Sequence, residues 1–120
     1  MIEGSCHCGA VRVSIPSLPT RMTMCNCSVC RRTGALTAYF PQASVRIEGH
    51  PEHTQTYVWG DRTLQFVRCA TCGCQIGWEP LVPNSDGRMG VNMRNFDPVL
   101  LQDVALRRFD GAVSWKYVDD

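Results

Sequence analysis

The eight cysteines of this 120-residue chain are its residues most able to do chemistry, and they fall into three clusters: Cys6-x-Cys8, Cys25-x-Cys27-x-x-Cys30 and Cys69-x-x-Cys72-x-Cys74. Residues i and i+2 of a strand face the same side, so a C-x-C pair can present both sulfurs to one ion. A C-x-x-C turn also converges two sulfurs, and four thiolates suit a tetrahedral zinc ion. We therefore expect Cys6/Cys8 and Cys69/Cys72 to be two half-sites that join around a structural zinc.

The middle cluster carries three cysteines, Cys25, Cys27 and Cys30. Three protein ligands with an open fourth position are typical of a catalytic zinc, which can polarise a carbonyl or bind a thiolate substrate. The alternative is a closed site, for which Cys74 is the obvious fourth ligand because it is otherwise unused. The spacing alone leaves both alternatives open.

The composition indicates which cellular compartment the chain occupies and which classes of binding partner it lacks. The N-terminal stretch MIEGSCHCGAVRV lacks the apolar run of a signal peptide, and no segment approaches the roughly 20 apolar residues that span a bilayer. We therefore expect a cytoplasmic chain with thiols committed to metal; a secreted disulfide framework is the alternative. The net charge of +1 and the scattered arginines argue against nucleic-acid and membrane partners.

Short β-rich runs between turn signals predict an all-β domain that spans residues 1–120. The predicted strands are Ala10–Ser14, Arg21–Cys25, Thr37–Phe40, Ser44–Glu48, Thr54–Trp59, Leu64–Arg68, Gln75–Glu79, Gly90–Met93 and Ala105–Phe109. A single helical turn is predicted at Ser28–Thr33, with Ser28 as N-cap and Gly34 after its end. Gly60-Asp61 predicts a hairpin turn, and Leu81–Arg88 a loop.

Three motifs together resemble one known family: G-S-C-H-C-G near the start, then C-N-C-S-V-C-R-R-T-G, and later R-C-A-T-C-G-C. The chain is similar in these motifs, and more weakly in the C-terminal R-R-F-D-G-A-V-S-W-K-Y, to the glutathione-dependent formaldehyde-activating enzymes, a family that includes centromere protein V. The resemblance implies a zinc-bearing β-tent of short antiparallel strands with at most one short helical turn.

The same resemblance implies a ligand set for each of two zinc ions. A structural zinc would lie on Cys6, Cys8, Cys69 and Cys72. A second, looser zinc would lie on Cys25, Cys27 and Cys30, the site tied to glutathione and aldehyde chemistry. Cys74 departs from the small hydroxyl residue expected after that C-G, and this departure bears on whether the second site is open.

Two function classes follow from these observations. The first is a carbon–sulfur lyase-type enzyme that joins a thiol such as glutathione to a small aldehyde such as formaldehyde, forming a hemithioacetal. In it Cys25, Cys27 and Cys30 form the catalytic site, and Arg31 and Arg32 hold carboxylates of the cosubstrate. The second is a non-catalytic binding or scaffold module with two closed four-cysteine zinc sites, in which the arginines belong to a solvated turn or compensate thiolate charge.

The remaining candidates have simpler interpretations. His7 lies between two ligand cysteines, so on a strand its side chain points away from their metal. His50 and His53 are expected in a solvated loop. The tryptophans are expected in the core or in a pocket wall, where one of them could line a substrate cleft; they are Trp59, Trp78 and Trp115.

Overall fold

A computed structural model describes residues 1–82 and 87–118 as a mainly β structure, which confirms the predicted class. Its strands are β1 (Ile2–Ser5), β2 (Arg12–Ile15), β3 (Arg21–Cys25), β4 (Thr37–Pro41), β5 (Arg46–Glu48), β6 (Thr54–Tyr57), β7 (Leu64–Cys69), β8 (Gln75–Pro80), β9 (Arg88–Asn92), β10 (Ala105–Asp110) and β11 (Lys116–Tyr117). All nine predicted strands are present, Arg21–Cys25 with its predicted bounds and the other eight with one or both ends shifted, whereas β1 and β11 were not predicted. Residues 83–86 of the predicted loop lie outside the described residues.

Within the described residues, the strands form two sheets. A three-stranded sheet has the order β1-β2-β5, and an eight-stranded sheet has the order β11-β10-β3-β4-β9-β8-β7-β6. In β2 the side chains of Val13 and Ile15 are buried while Arg12 is exposed, as the period of a half-buried strand requires. This alternation fixes which face of the small sheet is covered.

The core joins the two sheets. Val13 and Ile15 of the small sheet belong to one buried cluster with Phe40, Met89 and Val91 of the large sheet. Burying each such side chain stabilises the fold by roughly 1.5–3 kcal/mol. Because side chains alternate along a strand, the neighbours of these core residues lie on the opposite face of the large sheet. That second face carries the candidate active site.

One strand pair departs from the antiparallel pattern that the resemblance implies. β10 pairs with β3 in parallel, so that Ala105 lies opposite Arg21 and Phe109 lies opposite Cys25. A parallel pair needs a long crossover rather than a hairpin, and here residues 26–104 make that connection. The pairing brings the C-terminal segment next to the middle cysteine cluster.

The helical turn is shorter than predicted. Helix α1 spans Cys30–Thr33, and Val29, not Ser28, occupies the N-cap position with no side-chain cap. Gly34 ends the helix in the left-handed conformation (φ 70°), and its N–H bonds to the carbonyl of Cys30. In the described part of the chain α1 is accompanied by three short 3-10 turns; they are Gln42–Ser44, Met93–Asn95 and Pro98–Leu101.

The predicted hairpin turn is present, but the connection between β6 and β7 is longer than two residues. Gly60 (φ 67°) and Arg62 (φ 60°) both adopt left-handed conformations, and the N–H of Arg62 bonds to the carbonyl of Trp59. This loop carries Trp59 and Asp61 beside the large sheet. No helix in the described part of the chain has the length and apolar character needed to cross a bilayer.

His50 does not lie in a solvated loop as predicted. Its side chain is half-buried; one ring nitrogen bonds to the carboxylate of Glu79, and Nδ1 lies 2.7 Å from the Thr54 hydroxyl. Burial favours such pairing because an unbonded polar group away from water is costly. His53, by contrast, is exposed as expected.

Gly90 allows Trp78 to pack across the large sheet. A Cβ atom at position 90 would overlap Nε1 of Trp78 and lie 2.7 Å from Cγ2 of Thr37. We expect Gly90→Ala to lower the free energy of unfolding by about 1–3 kcal/mol, because the tryptophan must leave its position. Denaturant unfolding in metal-replete buffer measures this change.

The control for Gly90→Ala is Thr56→Ala on the exposed edge strand β6, which we expect to change stability by less than about 0.5 kcal/mol. Equal stability of Gly90→Ala and the wild type would contradict the packing described for Trp78.

Candidate active site

Four cysteines, two from the N-terminal segment and two from the middle of the chain, converge in the structure. The sulfurs of Cys6, Cys8, Cys69 and Cys72 all lie within 4.8 Å of one another. Cys6 Sγ is 3.7 Å from Cys8 Sγ, which is 3.5 Å from Cys69 Sγ. A tetrahedral ion with metal–sulfur bonds of about 2.3 Å requires sulfurs about 3.8 Å apart. The four sulfurs therefore fit a single metal ion.

Backbone N–H groups already point at these sulfurs. The N–H of Val11 lies 3.4 Å from Sγ of Cys6, and those of Thr71 and Cys72 lie 3.4 and 3.5 Å from Sγ of Cys69. Such bonds orient a thiolate and offset part of its charge. The turn after β1 and the turn after β7 thus prepare the cluster for ligation.

The thiols of this cluster have different pKa values. The N–H of Cys74 and further hydrogen bonds lower the pKa of Cys72 to about 5. The N–H of Ala10 lowers the pKa of Cys8, but the Cys69 thiol and burial outweigh it and raise that pKa to about 11. Close thiols share protons because adjacent thiolates repel one another, and a bound cation replaces those protons. The chemistry of the donor set is that of a metal site.

Cys74 lies at this first cluster and not at the second. Its thiol interacts with Cys72, which raises the pKa of Cys74, and with the more distant Cys6, while the N–H of His7 lowers that pKa. Gly73 has a φ of 78°, so the chain turns back after Cys72 and carries Cys74 toward the first cluster. The hypothesis that Cys74 closes the middle cluster therefore does not fit the structure. His7 is exposed.

The middle cluster forms where β3 ends and α1 begins. The sulfurs of Cys25, Cys27 and Cys30 lie within 4.8 Å of one another. The turn closes through the N–H of Arg31, which bonds to the carbonyl of Cys27 at 3.0 Å. Within residues 1–82 and 87–118, no fourth His, Cys, Asp or Glu joins this group. The arrangement can hold a metal ion with an open position.

Ionisation within the middle cluster is also uneven. Burial, followed by the Cys27 thiol, raises the pKa of Cys30. Burial opposes ionisation of Cys27, but the N–H groups of Cys30 and Val29 and the neighbouring thiols lower its pKa overall. The N–H of Cys27 lies 3.4 Å from Sγ of Cys25. A proton or a cation is needed to balance these three sulfurs.

The C-terminal segment holds the middle cluster in place. The Asp110 carboxylate accepts from the Asn26 amide at 3.0 Å and from the N–H of Ser114 at 3.0 Å, and these bonds, Asn26 foremost, lower the pKa of Asp110 to about 2. The side-chain oxygen Oδ1 of Asn26 accepts a hydrogen bond from the N–H of Ala112. Gly111 lies so close that a Cβ there would be 2.6 Å from Sγ of Cys25.

The three cysteines open onto a cleft of about 780 Å³ on the face of the large sheet that does not meet the core. Six of its aromatic wall residues are Tyr39, Trp59, Phe66, Trp78, Trp115 and Tyr117. All three tryptophans therefore line the cleft, whereas the sequence left the core and a pocket wall as alternatives and suggested that one of them could line a cleft. Its volume is that of a pocket for a small molecule.

Three hydroxyl groups lie in the cleft near the cysteines. The Thr23 hydroxyl is 3.1 Å from that of Tyr117. Burial raises the pKa of Tyr39, although a hydrogen bond with Thr23 opposes the change. The Tyr39 phenol consequently keeps its proton at neutral pH and can donate a hydrogen bond.

The two arginines singled out in the sequence have different environments. Arg31 lines a smaller cavity of about 300 Å³ together with Arg94 and Arg108, and this cavity also touches Cys25 and Cys30. Arg32 instead donates to the carbonyl of Ser28 at 2.7 Å. Of the pair Arg31 and Arg32, therefore, Arg31 is the one that lines a cavity next to the thiols.

Sequence reasoning missed the arginines of the large cleft, Arg21 and Arg88. The guanidinium of Arg88 lies 4.5 Å from the ring centroid of Tyr39, and that of Arg21 lies 5.4 Å from the centroid of Tyr117. The available signal was the period of β3, which puts Arg21, Thr23 and Cys25 on one face.

A family model and a known bacterial protein both match the sequence of this chain. A family model described as "Glutathione-dependent formaldehyde-activating enzyme" matches residues 1–106. A 62-residue segment is 39% identical to a Halomonas elongata protein that is provisionally named a glutathione-dependent formaldehyde-activating enzyme. That segment covers 48% of this chain and only 40% of the relative's length.

A solved structure shares the fold. The crystal structure of a Rhodobacter sphaeroides protein superposes with a TM-score of 0.70 at 31% sequence identity. The match covers 88% of this chain and 99% of the other. The architecture is therefore shared over nearly the full length of that protein.

The neighbouring cysteines Cys72 and Cys74 provide a matched test of the first cluster. We expect Cys72→Ser to lower the bound metal by about one ion per chain and to destabilise the fold, because a ligand sulfur is lost. We expect Cys74→Ser to retain the wild-type metal content. Native mass spectrometry of both variants measures the stoichiometry, and loss of metal from Cys74→Ser alone would contradict the assignment.

Gly111 tests the middle cluster without touching a ligand. We expect Gly111→Ala to weaken metal binding there about tenfold or more, because the added methyl group must displace the Cys25 sulfur. Chelator titration of the more labile metal measures the effect. Ala112→Ser, one residue along the exposed turn, is the control and should leave the metal affinity unchanged; equal affinities in all three proteins would refute the proposed contact.

Proposed function

The chain belongs to the glutathione-dependent formaldehyde-activating enzyme family, and on that premise we propose that it joins a low-molecular-weight thiol to a small aldehyde. Glutathione and formaldehyde are the pair that the family name indicates. The product is a hemithioacetal, which makes the enzyme a carbon–sulfur lyase type when the reaction is written in reverse.

The observation that carries this proposal is the three-cysteine cluster, which faces the large cleft and has no fourth protein ligand among the described residues. A closed scaffold site would need a fourth ligand, and Cys74 interacts with the other cluster. An accessible three-thiolate site favours chemistry over a purely structural role.

We propose zinc for both clusters, one ion on Cys6, Cys8, Cys69 and Cys72 and a second on Cys25, Cys27 and Cys30. A zinc ion in the second site would supply positive charge that favours the thiolate of a thiol or polarises a carbonyl oxygen. Thiolate-rich ligand sets suit zinc better than they suit magnesium or calcium.

The protein's own residues orient the reactants. The protonated Tyr39 phenol and the Thr23 and Tyr117 hydroxyls lie in the cleft and can donate to the aldehyde oxygen. In the reaction the thiol sulfur forms a bond to the carbonyl carbon, the C=O π bond breaks, and the thiol proton ends on the oxygen. The aromatic walls limit water around the reacting atoms.

Arg31 is the arginine that we propose for a carboxylate of the thiol cosubstrate at the smaller cavity. Arg31 lines a cavity that also touches Cys25 and Cys30, and arginine pairs bidentately with carboxylate. Arg32 supports the turn through its bond to the carbonyl of Ser28, so we assign it no ligand.

The cytoplasm is the proposed compartment, because reduced thiols persist there. We also propose that residues 1–120 act as one domain, since the four-cysteine cluster connects the first strands of the small sheet to the large sheet.

The decisive experiment compares Cys27→Ser with the wild type in both metal content and catalysis. Exchange of glutathione between its free form and its formaldehyde adduct is followed by NMR, which resolves catalysis above the uncatalysed addition. We expect Cys27→Ser to lose the second metal and at least about 100-fold of the catalysed exchange, while its thermal unfolding stays cooperative.

Cys74→Ser is the matched control and should retain wild-type exchange. Two zinc ions that both resist millimolar glutathione and mild chelation, together with no catalysed exchange in the wild type, would refute the enzyme proposal and favour the closed scaffold.

A further inference from the structure

Arg21 and Arg88 are positioned to bind an anion in the large cleft. Both line it, and each guanidinium lies over a tyrosine ring, Arg88 at 4.5 Å from the Tyr39 centroid and Arg21 at 5.4 Å from that of Tyr117. Arg107 lies over the Tyr117 ring as well, at 4.5 Å. An arginine over an aromatic ring can still offer its N–H donors to a bidentate carboxylate partner. In the part of the chain that the structure describes, neither arginine forms a salt bridge with a carboxylate.

The end of the cleft that carries Arg21 is separated from the cysteine thiols by about the length of β3. Arg21 and Cys25 are the first and last residues of β3, so their Cα atoms are about 13 Å apart along the strand. A one-carbon aldehyde at the cysteines cannot reach that end. An arginine side chain and a benzoate ring placed end to end cover the distance.

The wall of the cleft favours a flat apolar ligand. Tyr39 and Trp78 lie 6.1 Å apart with their planes tilted by 55°, and Trp59 and Phe66 line the same space. An aromatic ligand ring gains favourable interaction energy from such neighbours beyond the burial of its area. Formaldehyde offers almost no surface for these contacts.

We propose that the cleft binds an aryl aldehyde that carries a carboxylate, with the ring against the aromatic walls and the carboxylate on Arg21 and Arg88. This inference rests on the proposed function for the reacting end of the molecule. The thiol adds to the aryl carbonyl as it would to formaldehyde: the sulfur–carbon bond forms, the C=O π bond breaks and the thiol proton moves to the oxygen. The step needs no oxidant or reductant.

Four aldehydes test separately the contributions of the aromatic ring and of the carboxylate to binding. 4-Carboxybenzaldehyde has both the ring and the carboxylate, benzaldehyde only the ring, glyoxylate only the carboxylate, and formaldehyde neither. Their dissociation constants are measured by calorimetry on the zinc-loaded protein without thiol, in a Lys116→Arg background that removes the chain's single lysine amine. We expect 4-carboxybenzaldehyde to bind about tenfold more tightly than benzaldehyde or glyoxylate, and formaldehyde to bind most weakly.

Charge-removing variants assign the carboxylate contact. We expect Arg21→Met and Arg88→Met each to weaken 4-carboxybenzaldehyde binding about tenfold and to leave benzaldehyde unchanged, since methionine keeps an apolar stem. Arg12→Met is the control, because Arg12 is exposed on the small sheet and pairs with Glu3. It should change neither affinity.

Two outcomes would overturn the proposal. Four aldehydes of equal affinity would exclude the aryl subsite. If Arg21→Met and Arg88→Met weaken glutathione binding but not that of 4-carboxybenzaldehyde, the arginines serve the thiol's carboxylates and the proposal is wrong. Formaldehyde turnover with glutathione is scored separately: its absence, with tight 4-carboxybenzaldehyde binding retained, contradicts the proposed function and leaves the ligand class standing.

Discussion

The close approach of four sulfurs is the constraint on which the rest of this structure depends. Cys6 and Cys69 are buried, so water cannot solvate their charges, and Cys8 lies within 3.5 Å of Cys69. Such a cluster holds together only with shared protons or a cation. The cluster brings Cys6 and Cys8, which follow β1, into contact with Cys69 at the end of β7, on the core side of the large sheet. The opposite side of the large sheet is then left for the cleft.

Local patterns made much of the fold predictable. Runs rich in β-branched and aromatic residues between turn signals marked nine strands correctly, because those runs also provide the buried face of each strand. β1 was missed because Gly4 and Ser5 weaken the pattern of a strand that still pairs along its length with β2. β11 has two residues and exists only through its pairing with β10. The parallel pairing of β10 with β3 joins distant segments, and no local pattern carries that information.

The candidate site was predictable only in part, as the fold was. Spacings of two and three residues determine which sulfurs can converge, so both cysteine groups could be read from the sequence. Cys74 could not, because the left-handed conformation of Gly73 decides where its thiol lies. Arg31 and Arg32 are adjacent in sequence, yet one lines a cavity and the other bonds to Ser28. The cleft residues come from strands far apart in the chain and share no motif.

The parallel pair also sets an order of assembly during synthesis. The cysteines of the first cluster have all left the ribosome once residue 72 has emerged, whereas the cleft needs Phe109, Gly111 and Tyr117. Loop-closure entropy rises slowly with length, so the late pairing of β10 is tolerated, but contacts this distant in sequence form slowly. The four sulfurs of the first cluster can therefore come together while the middle cluster still lacks the walls of its cleft. A chain ended near residue 106 would carry Cys25, Cys27 and Cys30 without the cleft walls that Phe109, Gly111 and Tyr117 provide.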